Sequence, residues 1–183
     1  MNLSEQFAYW NMAFHTNDRS LVAMLPRLQQ DGACPETTWP YVPVPIPGND
    51  AQDPPPPHAV ARALSHRPGH VLQVAARSVP AIQAQLSAGR VVPIAIPVYA
   101  SWMDSPVVRK YGNITVPIPG EVPEPTGHAV ALVGYADNAD FAGGGYFIVR
   151  NSWGTSWGVN GFGYLHPDYI TAAFYDESYG VTL

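Results

Sequence analysis

His128 stands at the head of an apolar run, HAVALVGYA (128–136). Asn151 closes a second run, YFIVRNS (146–152). The two lie 23 residues apart, and the glycines 143–145 between the runs suit the end of a hairpin. Neighbouring strands of such a hairpin can bring an asparagine amide oxygen to a histidine ring N–H. The amide then fixes the ring's tautomer and orientation, and the other ring nitrogen is free to take a proton from a nucleophile. A neutral amide suits an imidazole that becomes cationic beside a thiolate, because the thiolate supplies the negative charge. Each residue also has a plainer reading. Alone, His128 is a strand-end histidine with a satisfied hydrogen bond, and Asn151 is a turn residue.

Trp153 follows Asn151 by two residues and is placed to cover a His–Asn bond and exclude water from it, which strengthens the bond. Trp157 extends the same wall, and ordinary core packing is compatible with both. Gly154, Gly158, Gly161 and Gly163 mark tight turns before the last strand. The chain has one thiol, Cys34, just before Pro35 and Glu36. It could cap a short helical turn. Its plainer reading is a small half-buried apolar side chain.

The elements that must position these residues can be read from spacing. Leu3, Phe7, Trp10 and Phe14 define one helix face with Ser4 as N-cap. Ser20 caps a second helix running towards Gln30, stopped by Gly32 and kinked or shortened by Pro26. From Pro35 to Pro57 the prolines of VPVPIPG and DPPPP favour an extended loop, either a rigid connection or a docking site for a proline-reading partner. Val71–Ala76 predicts a short strand. Pro80 opens a helix with Ile82 and Leu86 on one face and Gly89 at its end. Residues 91–99 predict an apolar strand whose two prolines require an edge or a bulge, and 107–125 form a proline-rich excursion. Three strands follow, at 128–136, 146–152 and 161–166. Helices early and strands late predict an α+β fold, divided at about residues 75 and 76 into a helical part and a β-rich part.

Composition removes several function classes. Nine basic residues against fourteen acidic ones, with Lys110 the single lysine, leave no basic stripe for nucleic acid. One cysteine allows neither an internal disulfide nor a cysteine-based zinc site, and none of the six histidines sits in an HExxH pattern. No metal or organic cofactor is implied. No apolar run reaches the roughly 18 residues of a membrane span. The N-terminal MNLSEQFAYW lacks the basic and apolar regions of a signal peptide, which leaves the compartment open with the cytoplasm as default.

GHAVALVGYA followed by YFIVRNSWGTSWGVNGFGYL resembles the His and Asn boxes of papain-like (C1) cysteine peptidases. LSEQFAYW and DGACPETTWPY resemble that family's segments after its catalytic helix, so the resemblance runs from Leu3 to about Tyr169. It is closest to the disulfide-poor bacterial style. It implies a two-lobe fold with a helical left lobe and a β-barrel-like right lobe. It also implies His128 as general base and later general acid, Asn151 as its orienting partner, and a peptide or protein substrate. Ala129, Tyr99 and Trp102 are candidates for lining the pocket that sets specificity.

The family's nucleophile is a cysteine opening a central helix, roughly 130 to 150 residues before the His and Asn. Counting back from His128 lands just before Met1, and no such cysteine box occurs. The chain is therefore expected to lack the catalytic helix, its nucleophile and the oxyanion-binding glutamine, with Cys34 non-catalytic. Three functions are compatible. The chain is the C-terminal part of a peptidase whose cysteine helix lies upstream or on another chain, or a dead pseudo-peptidase that binds peptides, or an enzyme acting through Cys34. A missing helix would leave the Phe7, Trp10, Phe14 face bare or covered by a second copy.

Overall fold

Hydroxyl caps open both early helices. Ser4 Oγ accepts the Phe7 N–H at 3.0 Å where α1 (Glu5–Thr16) begins. Ser20 Oγ accepts the Ala23 N–H at 3.2 Å at the start of α2 (Leu21–Asp31). Gly32 ends α2 at φ 73°, and a Cβ there would run into the Ala63 carbonyl, so this stop admits only glycine. Pro26 does not shorten α2, which runs on to Asp31. It is exposed, and the missing hydrogen bond is borne by a helix capped at both ends. The computed structural model describes residues 2–16, 18, 20–44, 54–172 and 177–182. It divides into two compact units, 1–71 and 72–182.

In the first unit a third helix, α3 (Pro57–Ala63), follows the proline run. Sequence reading assigned nothing there. The signal was Pro57 at the first helical position ahead of an alanine-rich stretch. Residues 35–44 are irregular as expected, while 45–53, which hold much of the proline-rich loop, lie outside the described residues. Phe7, Ala33, Cys34, Ala59 and Ala63 form the core, with Leu28 and Trp39 against it. The segment after Cys34 is strapped to α1. Gln6 Oε1 accepts the Val42 N–H at 3.2 Å, and within the segment Glu36 Oε1 accepts the Tyr41 N–H at 2.7 Å.

The expected bare face of α1 is smaller than the spacing suggests. Phe7 is buried at 2% exposure, with its ring edge-on to Trp39. Trp10 is half-buried and stacks on Phe14, which is 65% exposed. Phe7, Trp10 and Phe14 share the helix, while Leu3 lies before it, bridged to Pro35 and exposed.

In the second unit β1 (Val71–Gln73) is shorter than predicted, and α4 (Val79–Ser87) starts at Ser78 and Pro80. β2 (Val92–Tyr99) leads into α5 (Ala100–Asp104), α6 (Pro106–Tyr111) and β3 (Asn113–Ile114). The excursion predicted at 107–125 thus begins as helix. Ser105 accepts the Val108 N–H, Pro106 sits at the first helical position, and Gly112 closes α6 in the left-handed conformation. β4 (Pro123–Asp137) contains the strand predicted at 128–136 and starts earlier, β5 (Gly145–Arg150) and β6 (Phe162–Leu165) end short of those predicted at 146–152 and 161–166, and the glycine turn lies between β4 and β5. α7 (Pro167–Ala172) and β7 (Tyr179–Val181) follow.

The main sheet runs β2-β4-β5-β6-β3, and a separate pairing joins β1 to β7. Within the main sheet the β3–β6 pair is parallel and the others are antiparallel. β2 is the last strand of this sheet, with its outer side bonded to residues 177–181 at Val91 and Ala95, and the irregularity after Pro97 meets the requirement its prolines impose. Ile94, Ile96, Leu132, Phe147, Val149, Leu165 and Trp102 lie in its core. The sheet is open among the described residues, not a closed barrel. The fold is α+β.

Candidate active site

β4 and β5 bring His128 and Asn151 together. Ala131 pairs with Arg150, the last residue of β5, so the next residue of the chain lies beside the stretch of β4 that carries His128. The Asn151 N–H is held by the Gly161 carbonyl at 3.0 Å. The Asn151 side chain is buried, and its Oδ1 lies 2.8 Å from Nε2 of half-buried His128.

A second bond fixes the proton. The Ser152 N–H donates to the same Asn151 Oδ1 at 2.8 Å. A backbone N–H can only donate, so the amide atom facing both groups is the oxygen. His128 Nε2 must then be the protonated nitrogen, and in the neutral ring Nδ1 keeps its lone pair. An imidazole in this tautomer accepts a proton at Nδ1 while Nε2–H stays anchored.

The wall around this pair is aromatic. Trp153 lies face to face with the His128 ring, with centroids 4.9 Å apart and planes 23° off parallel. Trp157 stands edge-on to Trp153 at 5.7 Å, and Trp102 touches both at 6.3 Å. Gly163 is a strand residue, not a turn. A Cβ there would come within 2.8 Å of the Trp157 ring, so glycine serves close packing under the wall. Gly158 is the tight-turn case, at φ 58° with the Phe162 carbonyl where a Cβ would go.

The pocket candidates separate. Ala129 is exposed on β4 next to His128, and Tyr99 is half-buried against Tyr169 at 6.3 Å. Trp102 is only 1% exposed and belongs to the core behind Trp153, so it does not line an open pocket. Sequence reading missed its part in the wall, because its partners lie some 50 positions away at no periodic spacing.

Cys34 lies in the first unit with no exposure. Burial pushes its thiol above the ordinary value against a lowering contact with Ser4, and the nearby Glu36 charge adds to the rise. Burial of this kind disfavours the thiolate, the form in which a cysteine is reactive. No group of three or more metal-ligating side chains occurs among the described residues. No helix among them is long and apolar enough to cross a membrane.

Comparison with known proteins places this geometry. The family described as "Papain family cysteine protease" matches residues 27–177. "Cathepsin B-like CP1" of Giardia intestinalis is 36% identical over 110 residues, 58% of this chain and 33% of that protein. "Peptidase 1" of Dermatophagoides pteronyssinus is 44% identical over 71 residues, 39% of this chain and 21% of that protein. The matched stretches thus span a third or less of these relatives. Among solved structures, xylellain, a cysteine protease from Xylella fastidiosa, superposes with a TM-score of 0.80 at 25% identity, covering 98% of this chain and 69% of that one. The bromelain protease of Ananas comosus in complex with the E64 inhibitor gives 0.71 at 19% identity over 100% of this chain and 78% of that one, a likeness of fold. The family match over most of the chain and the fold it shares with these proteases lead to one conclusion: the chain belongs to the papain family of cysteine proteases.

Proposed function

We propose that this chain carries the acid–base half of a papain-type peptidase and is inactive by itself. In this reading His128 and Asn151 hydrolyse peptide bonds once a cysteine from a segment outside these 183 residues stands against His128 Nδ1. That segment precedes this sequence in a longer chain or belongs to another polypeptide. The observation that carries the reading is the Nε2–H···Oδ1 bond at 2.8 Å, which leaves Nδ1 as the basic nitrogen. The supplied thiol passes its proton to Nδ1 and attacks the peptide carbonyl. The imidazolium then protonates the departing amine, and water, deprotonated by the same nitrogen, releases the acyl group. Cys34 takes no part, because its thiol is fully buried and burial disfavours the thiolate. Loss of a nucleophile costs about 10⁶ in kcat even where the rest of a site survives.

The test is coexpression with a papain-type N-terminal segment that bears the catalytic-helix cysteine, followed by a fluorogenic peptide assay. The chain alone is expected to give no turnover above background. The pair is expected to give turnover that His128→Ala abolishes. Peptide binding without turnover by the pair would replace this reading with that of a binding module. Turnover by the chain alone, lost in Cys34→Ser, would overturn the exclusion of Cys34.

A further inference from the structure

We infer that Glu121 is a positioning residue for the His128 site, acting through Ser101 and the tryptophan wall. The inference rests on the reading of His128 as the base. The Glu121 carboxylate spans two elements. Oε1 accepts the Ser101 N–H at 2.9 Å, and Oε2 accepts the Ser101 hydroxyl and the Ile118 N–H, both at 3.3 Å. The Ser101 N–H lies in the first turn of α5, where a helix has no carbonyl of its own to receive it. Tyr99, the residue before α5, offers no side-chain cap, so Glu121 supplies that acceptor from 20 residues away. The Glu121 N–H also closes on the Ile118 carbonyl at 2.9 Å across Pro119 and Gly120, so the carboxylate is presented by a tight turn.

Two consequences reach the site. The first runs through α5. Trp102 follows Ser101 directly, and its buried ring backs Trp153, which stacks on His128. Fixing the first turn of α5 fixes where Trp102 stands. The second runs along β4. Pro97 pairs with Gly127 but Tyr99 pairs with Pro123, so β4 uses four residues where β2 uses two. This irregularity lies immediately before His128, where the ladder alone does not set the register. Glu121 lies two residues before Pro123, and Ser101 two residues after Tyr99. The clamp therefore closes the open end of the irregularity and holds β4 against slippage towards His128. Burial raises the Glu121 carboxyl pKa, but the bonds from Ser101 and Ile118 outweigh it and leave the group below the ordinary carboxylate value. The clamp is thus charged near neutral pH.

The readout is the proton NMR signal of the His128 ring, which needs no catalytic activity and so is independent of whether a nucleophile is ever supplied. A ring stacked on an indole face is shifted upfield. In Glu121→Ala the His128 ring protons are expected to lose most of that displacement. Those of His166, which packs in the same unit against Gly143 and Phe141, should stay in place. Ser101→Ala, which removes only the hydroxyl, is expected to give a smaller change in the same direction. Unchanged His128 signals in a folded Glu121→Ala protein would overturn the inference. Equal displacement of His128 and His166 would also overturn it, because the residue would then serve general stability. Should Glu121→Ala fail to fold, Glu121→Gln takes its place, read on the same two histidines with the same outcomes. It keeps one oxygen for the Ser101 N–H and loses the other as an acceptor.

Discussion

At the scale of single residues the site turns on which nitrogen of His128 holds the proton. The Ser152 N–H settles it by fixing the oxygen of Asn151. Asn151→Asp offers the same two acceptor positions and adds a negative charge beside the ring. That charge strengthens the bond from Nε2–H, and the Nε2-bound proton of His128 is expected to move downfield in the NMR spectrum. Proton NMR of wild type and variant measures it, and an unchanged signal would mean that the two side chains do not meet in solution. The pairing itself was legible in the sequence. Two apolar runs joined by glycines must pair antiparallel, and the residues at their site-side ends must then converge. The roles of Trp102 and Glu121 were not legible. Each acts on a partner distant in sequence, through a ring contact or a side-chain bond that leaves no periodic trace.

At the scale of elements, the turn between Trp153 and β6 must be tight for Trp157 to reach Trp153. Gly158 sits at φ 58° with the Phe162 carbonyl in the place of a Cβ. Gly158→Ala is therefore strained by its backbone angle and by a contact with main chain that cannot swing away. It is expected to destabilise the unit by about 1–3 kcal/mol, read as a lower urea midpoint at unchanged slope. An unaltered midpoint would show that this turn is free to rearrange. Sequence reading located the strands because alternation and apolar runs are properties of contiguous residues. It missed α3 and α6 for the opposite reason. Their prolines read as breakers, yet Pro57 and Pro106 stand at the first helical position, where no N–H is needed. The prolines of β2 signalled an edge or a bulge, but not that β4 would carry the extra residues before His128, since extra residues in one strand change no local pattern.

At the scale of the molecule, the units differ in what they hold. Unit 72–182 contains His128, Asn151, Trp153 and the clamp at Glu121. Unit 1–71 contains the single thiol, in a small core with Phe7 and the alanines of α3. Helical spacing correctly placed Phe7, Trp10 and Phe14 on one helix. It did not foresee that Trp39 would meet Phe7, because that contact depends on how the segment after Cys34 is strapped to α1.

The proposed role of the chain depends on Cys34 being a packed side chain and not the nucleophile. The most direct measurement is the intact mass of the native chain after incubation with an epoxysuccinyl peptide. No adduct is expected at neutral pH. Labelling should appear only when the chain is unfolded, because the native thiol has no exposure, and the result should be the same in His128→Ala. A stoichiometric adduct at neutral pH that His128→Ala prevents would make Cys34 an activated nucleophile and contradict that role.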